Sequence, residues 1–264
     1  MGDEIRMKEN ESQSSDKNGM DGLHTALENM MQRVYDLQKI CNDILKTCYG
    51  ERKIIFPIDI EKIAHDKGIE IAYKNLNQGG TEEIDLNIAQ LQYEIDHDHN
   101  DKVVRKILVD NSQIEGVWWD DLGPYSNVQK YAIAYEIGKI IVKGEIDWKV
   151  SHMSKEEVRK RNMKSVPYSL PKLYARQENF EHEMCAIFLL LPLDLFFDEF
   201  YLYLKTRTIS PVYMERWIKH LSEKTEIPNY QLINGYQYIK FCACQYYQDE
   251  RDKIEEKDYW DLYQ

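Results

Sequence analysis

Apolar residues recur with a helical period from Leu23 onward, at Leu27, Met30, Met31, Val34, Leu37, Cys41, Ile44, Leu45 and Cys48, and Gly50 is a natural stop. Upstream, residues 1–21 are rich in Glu, Asp, Ser, Asn and Lys with almost nothing to bury, so a disordered tail is expected there. In "FPIDIEKIAHDKGIEIAY", Pro57 suits a helix start and Asp59 a cap. Ile60, Ile63 and Ala64 face inward, Gly68 closes the helix, and "IEIAY" reads as a strand. Residues 88–96 alternate as a strand, "HDHND" is a turn, and "KVVRKILVD" is the antiparallel partner. "GVWWDDLGPYSN" reads as a loop whose Ser126 or Asn127 caps a helix through 131–142, stopping near Gly144. Residues 145–175 look irregular, with Pro167 and Pro171 bracketing a loop. Helical patterns follow from about Ala175 to Leu191, over 193–205, and over "SPVYMERWIKHLSEKT" and "NYQLINGYQYIKFCACQYYQDERDKIEE". The expected class is α+β, mostly helical with a small, mainly antiparallel sheet.

Composition narrows the function classes. The 264 residues carry a net charge of −12, which argues against a broad nucleic-acid surface. The local basic run "KEEVRKRNMK" at 155–164 reads as a solvated helix or loop. The longest apolar run, 186–197, is broken by Pro192 and Asp194 and is too short to span a bilayer. The polar N-terminus lacks a signal-peptide core, and Gly2 lacks the Ser or Thr that myristoylation requires, so a cytoplasmic protein is expected. The five cysteines are irregularly spaced and odd in number, which fits buried thiols better than a disulfide framework.

The chemistry concentrates in two helices. Within "YAIAYEIGKIIV" (131–142), Glu136 and Lys139 interrupt an apolar run and share a narrow arc with Gln129 and Lys143. Either they form an i,i+3 ion pair on a solvent-facing edge, or they line a site. In the later helix Glu178, Glu181, His182 and Cys185 fall at i, i+3, i+4 and i+7, a stripe that could hold a metal or a proton. Acidic residues in a first helical turn are equally explained by the macrodipole. His97 and His99 form a His-x-His pair explained by a polar turn.

Four stretches, in order, resemble the ImmA/IrrE family of zinc metallopeptidase-like proteins: "PIDIEKIAHDKGIEI", "RKILVDNS", "KYAIAYEIGKIIV" and "FEHEMCAIFLLLP". Together they cover roughly residues 45–195. The resemblance implies a zincin-like core over 22–200, followed by a helical C-terminal extension over 201–264 packed on it. In the family an H-E-x-x-H helix binds zinc through both histidines, its glutamate acts as general base, and a glutamate on a later helix is the third ligand. The histidine positions fall here on Tyr135 and Lys139, the base on Glu136 and the third ligand on Glu181. With both imidazoles replaced, zinc is expected to be absent, because an ammonium offers no lone pair and a phenol ligates only as phenolate. Lys139 is expected to stand at the metal position and pair with Glu181, with the Tyr135 hydroxyl assisting. Glu178 and His182 are the candidates for a restored metal site. The implied function is a catalytically degenerate domain that binds a protein or peptide, a transcriptional regulator of bacterial or mobile-element genes being one such partner. Two alternatives stand beside it. One is an active metal-dependent peptidase with rearranged ligands. The other is an interaction scaffold acting through Tyr236, Tyr238, Tyr246, Tyr247, Tyr259 and Trp260.

Overall fold

The computed structural model describes residues 3–50, 56–77, 86–97, 101–112, 118–119, 123–147, 150, 153–170, 177–193 and 211–254. Side chains are described between 25 and 245, except at 118–119, 177–179 and 211–213 within that set. In chain order the elements are α1 (Asp3–Tyr49), α2 (Ile60–Asp66), β1 (Ile69–Lys74), β2 (Leu86–Asp96), β3 (Lys102–Asp110), β4 (Trp118–Trp119), β5 (Gly123–Pro124), α3 (Tyr125–Val142), α4 (Lys155–Lys164), β6 (Tyr168–Leu170), α5 (Gln177–Leu190), α6 (Pro211–Thr225) and α7 (Asn229–Ile254). The class is α+β. No helix among the described residues is long and apolar enough to cross a membrane.

The four-stranded sheet has the order β1-β3-β2-β6. It is mixed: β1 runs parallel to β3, while β2 is antiparallel to both β3 and β6. The β2–β3 hairpin follows from its alternating pattern, and α2 from its cap, since Asp59 Oδ1 accepts from Lys62 N at 3.0 Å. Ile60, Ile63 and Ala64 are buried, and Gly68 takes φ +66°, a conformation that favours glycine.

Helix α3 is apolar over most of its surface, with one narrow polar arc. Twelve of its 18 residues are buried, between the sheet on one side and α5 on another. Its two ends are pinned to β3. At the start, Tyr125 Oη donates to Asp110 Oδ2 (2.8 Å) and Gln129 Nε2 donates to the Asp110 carbonyl (2.6 Å). Asp110 also accepts from Leu76 N and from Ser112 Oγ, which accounts for a fully buried carboxylate at a strand end. Past the helix end, the buried Arg105 guanidinium donates to the carbonyls of Glu145 and Ile146 and, at 3.3 Å, of Lys67.

Beyond β6, the outer edge of β2 is covered by side chains that imitate a strand. Asn162 accepts from Tyr93 N and donates to Tyr93 O, both at 2.8 Å, and Ser165 Oγ donates to Leu91 O at 2.5 Å. An edge that would otherwise present unpaired backbone groups is thereby closed by α4 and its following loop.

Several expectations need correction. Helix α1 is described from Asp3, so it includes the backbone of 3–21. That stretch contains no proline, and adding turns to an existing helix costs far less than nucleating one. Helix α3 starts at Tyr125, with Pro124 at the cap position and no side-chain cap bond, so neither Ser126 nor Asn127 caps it. Within 145–175 lie α4 and β6. Ser154 and Glu157 form a capping box that starts α4. The helix expected over 193–205 falls almost wholly outside the described residues, as do residues 98–100 of the expected turn. All five cysteines are free thiols. The C-terminal helices share the one hydrophobic core through Ile218, Leu221, Leu232, Ile239 and Cys242. Tyr236 is buried and Tyr238 stacks on Phe180 at 4.3 Å between centroids. The side chains of Tyr246, Tyr247, Tyr259 and Trp260 lie outside the described residues.

Helices α3 and α5 meet closely at Gly138. A Cβ built there lies 2.7 Å from the His182 carbonyl oxygen and 3.0 Å from Cys185 Cβ. Gly138→Ala gains about 1 kcal/mol of helix propensity but forces backbone apart, an overpacking cost of about 1–3 kcal/mol. The expected outcome is net destabilisation in chemical denaturation, whereas a Tm equal to or above that of the parent protein refutes the tight contact.

Candidate functional site

Glu136 sits in the middle of α3 with no exposed surface. Isolated, a carboxylate there is prohibitive. Three donor groups meet it, through four hydrogen bonds. Its Oε1 accepts from Lys139 Nζ (2.6 Å) and from the backbone N of Tyr168 in β6 (3.1 Å). Its Oε2 accepts from Lys139 Nζ (2.7 Å) and from the backbone N of Leu91 in β2 (3.0 Å). The Lys139 side chain is 13% exposed, and its ammonium also donates to the Val166 carbonyl at 2.6 Å. Within the α3 polar arc the i,i+3 pair therefore faces the sheet margin, with Glu136 fully buried and Lys139 largely so, while Lys143 is exposed. Burial pushes the Glu136 carboxyl above its ordinary range, while Lys139 and then the two backbone N–H groups pull it down.

Tyr135 is buried beside this pair. Its ring is tilted against Tyr168 at 4.9 Å and meets His182 edge-on at 5.6 Å, with the Lys139 ammonium 5.1 Å from its centroid. Burial, followed by the charge of Glu136, raises its phenol well above the ordinary value, so a phenolate is disfavoured. The Tyr168 hydroxyl accepts from Gln231 Nε2 of α7 at 3.0 Å, which ties the C-terminal helices to the floor of the site.

The expected Lys139–Glu181 pair does not form. Glu181 faces α1, where Arg33 Nε and Nη2 donate to its two oxygens at 3.3 and 3.4 Å. The reason is positional: α1 packs along α5 and brings a guanidinium to Glu181, and Lys139 is already held by Glu136. The α5 stripe diverges accordingly. Glu181 points to α1, His182 lines a cleft beside α3, and Cys185 is buried at the contact with α1 and α3. The Glu178 side chain lies outside the described residues. These residues do not fit a zinc ion: a locked ammonium, a buried neutral phenol and a carboxylate turned toward an arginine supply no converging donor set. Among the described residues, no group of three or more His, Cys, Asp or Glu is arranged to hold a metal.

The cleft has a volume of about 540 Å³. It brings together Tyr135, Lys139 and His182, foreseen from the sequence, with Lys143, Arg161 and Lys164. Arg161 and Glu145 form a two-pronged pair at 2.7 and 2.9 Å across its wall. Helix α4, which supplies Arg161 and Lys164, was missed as a site element; its signal in the sequence is the S-K-E-E capping box at 154–157.

Lys139→Met removes the charge partner of a buried carboxylate, a loss of about 3–5 kcal/mol at neutral pH. The sign with pH follows from linkage. Losing Lys139 raises the folded-state pKa of Glu136 further above its unfolded value. The charge penalty then grows as pH rises from the unfolded pKa to the raised folded pKa, so the deficit against the parent protein is largest at neutral pH and shrinks on acidification. Urea denaturation of both proteins between pH 5 and pH 8 checks this, with Lys143→Ala, an exposed position, changing little. A deficit independent of pH, or equal effects at the two lysines, contradicts a buried pair.

No family model, curated protein or solved structure matches the chain.

Proposed function

We propose that this protein is a catalytically degenerate metallopeptidase-like domain of the ImmA/IrrE type that binds a protein or peptide partner in the cleft beside α3. The observation that carries the reading is the saturation of Glu136. The residue at the family's general-base position has both oxygens taken by an ammonium and two backbone N–H groups, with no surface left for a water to activate. The carboxylate thus serves as a brace between helix and sheet. The cleft nonetheless stays open beside it, with an exposed margin at Val166, which is 71% exposed. A site that loses its chemistry and keeps its recess is suited to recognition. A transcriptional regulator is the partner class that the family resemblance suggests.

Two measurements test the proposal. Protein exchanged through a chelator and offered zinc is expected to bind no stoichiometric metal and to cleave no peptide in a mixed pool. Zinc-dependent cleavage abolished by Glu136→Gln overturns it in favour of a rearranged peptidase. Peptides selected on the full chain from a random displayed library are expected to lose binding in Ser169→Trp, which fills the cleft. They are expected to keep it in Ile233→Ser, on the exposed side of α7. The opposite pattern favours a C-terminal scaffold.

A further inference from the structure

The cleft has a charge opposite to that of the protein. The chain carries 34 Lys and Arg against 46 Asp and Glu, a net −12. The cleft lining holds Lys139, Lys143, Arg161 and Lys164 against the single carboxylate of Glu145. Pairing removes two of these cations from consideration: Lys139 is neutralised by Glu136 beneath the surface, and Arg161 by Glu145. Lys143 and Lys164 remain. Both are exposed, and among the described residues neither makes an ion pair. They come from different helices, Lys143 capping the C-terminus of α3 and Lys164 ending α4. A helix C-terminus favours a lysine in any protein, which explains each lysine singly. It does not account for two such ends opening on one recess with no acidic side chain to answer them.

We infer that the cleft selects an anionic ligand, and specifically a short acidic peptide segment whose carboxylates are held between Lys143 and Lys164; this rests on the binding role proposed above. Three features favour a peptide. The volume of about 540 Å³ lies in the range of pockets that enclose a compact ligand. Its wall offers the Ser169 hydroxyl for a polar contact. Exposed Val166 on its lining suits an apolar side chain flanking the acidic ones. A nucleic-acid backbone would extend past the recess over a molecule whose net charge repels phosphate. Within the recess Lys139 and Arg161 are held by Glu136 and Glu145, which leaves the ammonium groups of Lys143 and Lys164 to meet a ligand.

The test uses the full chain and a fluorescein-labelled six-residue peptide of Asp and Glu, read by fluorescence anisotropy. Its comparators are a neutral twin of Asn and Gln and a twelve-residue oligothymidine. Binding of the acidic peptide, weakened at least ten-fold by Lys143→Glu with Lys164→Glu, is the expected result. Lys155→Glu with Lys160→Glu, which makes the same change in net charge on the exposed side of α4, is expected to leave it within two-fold. Four outcomes overturn the inference: no binding of the acidic peptide up to millimolar concentration; equal binding of the neutral twin; equal loss in the two double variants; or tighter binding of the oligothymidine lost in the same cleft variant. Library peptides that compete for the cleft yet carry no acidic residues refute the anionic preference while leaving the binding role intact.

Discussion

A single carboxylate inside an apolar helix sets the terms for the rest of this fold. Glu136 has no exposed surface, and its charge is tolerable only because one ammonium and two backbone N–H groups converge on it. Those donors come from three elements, α3 itself, β2 and β6. The same contacts therefore fix the helix against the sheet. They also satisfy Leu91 N and Tyr168 N, which lie where the short β6 stops pairing with β2. Lys139 extends the bracing to the loop before β6 through the Val166 carbonyl. A buried ion pair is a weak source of stability; here its value is that it specifies how helix, strand and loop meet.

The rest of the architecture completes what this brace begins. Asp110 and Arg105, at opposite ends of the α3 span, hold the helix along β3. The absence of a side chain at Gly138 lets α5 approach its back. Because β6 is only three residues long, the remaining edge of β2 is left to Asn162 and Ser165, and α4 must stand off the sheet to supply them. The recess between α3, α4 and the sheet margin is the geometric consequence. On the reading proposed above, a site once built around a metal retains its walls, while its central charges hold one another.

On the reading proposed above, this arrangement also accounts for the loss of reactivity. A general base needs a lone pair facing a proton, and Glu136 has both oxygens engaged. A phenol can ligate a metal once ionised, and burial opposes ionisation at Tyr135. Glu181 is charged and accessible, but it has been recruited to hold α1 through Arg33. Tyr135, Glu136, Lys139 and Glu181 thus each have a structural task, and on the reading proposed above the features left for recognition are the exposed Lys143, Lys164 and Val166 of the cleft.

Local physics made much of the fold legible in the amino-acid order. The Asp59 cap, the inward face of α2, the left-handed Gly68, the β2–β3 hairpin and the helical periods of α3 and α5 follow from patterns and caps that involve neighbours in the chain. Short elements escaped, because the three residues of β6 carry no period and α4 announces itself only through its capping box. Glu136 and Lys139 were legible as partners, since i,i+3 spacing guarantees their meeting on a helix. Their burial was not, because it depends on the sheet margin delivering Leu91 and Tyr168 from 45 residues before and 32 residues after Glu136. The choice of Arg33 over Lys139 for Glu181 likewise joins residues 148 apart. Composition gave the sign of the whole molecule's charge, and only the tertiary structure brought Lys143 and Lys164 to one recess, because proximity between separate helices is decided by packing and leaves no trace in local order.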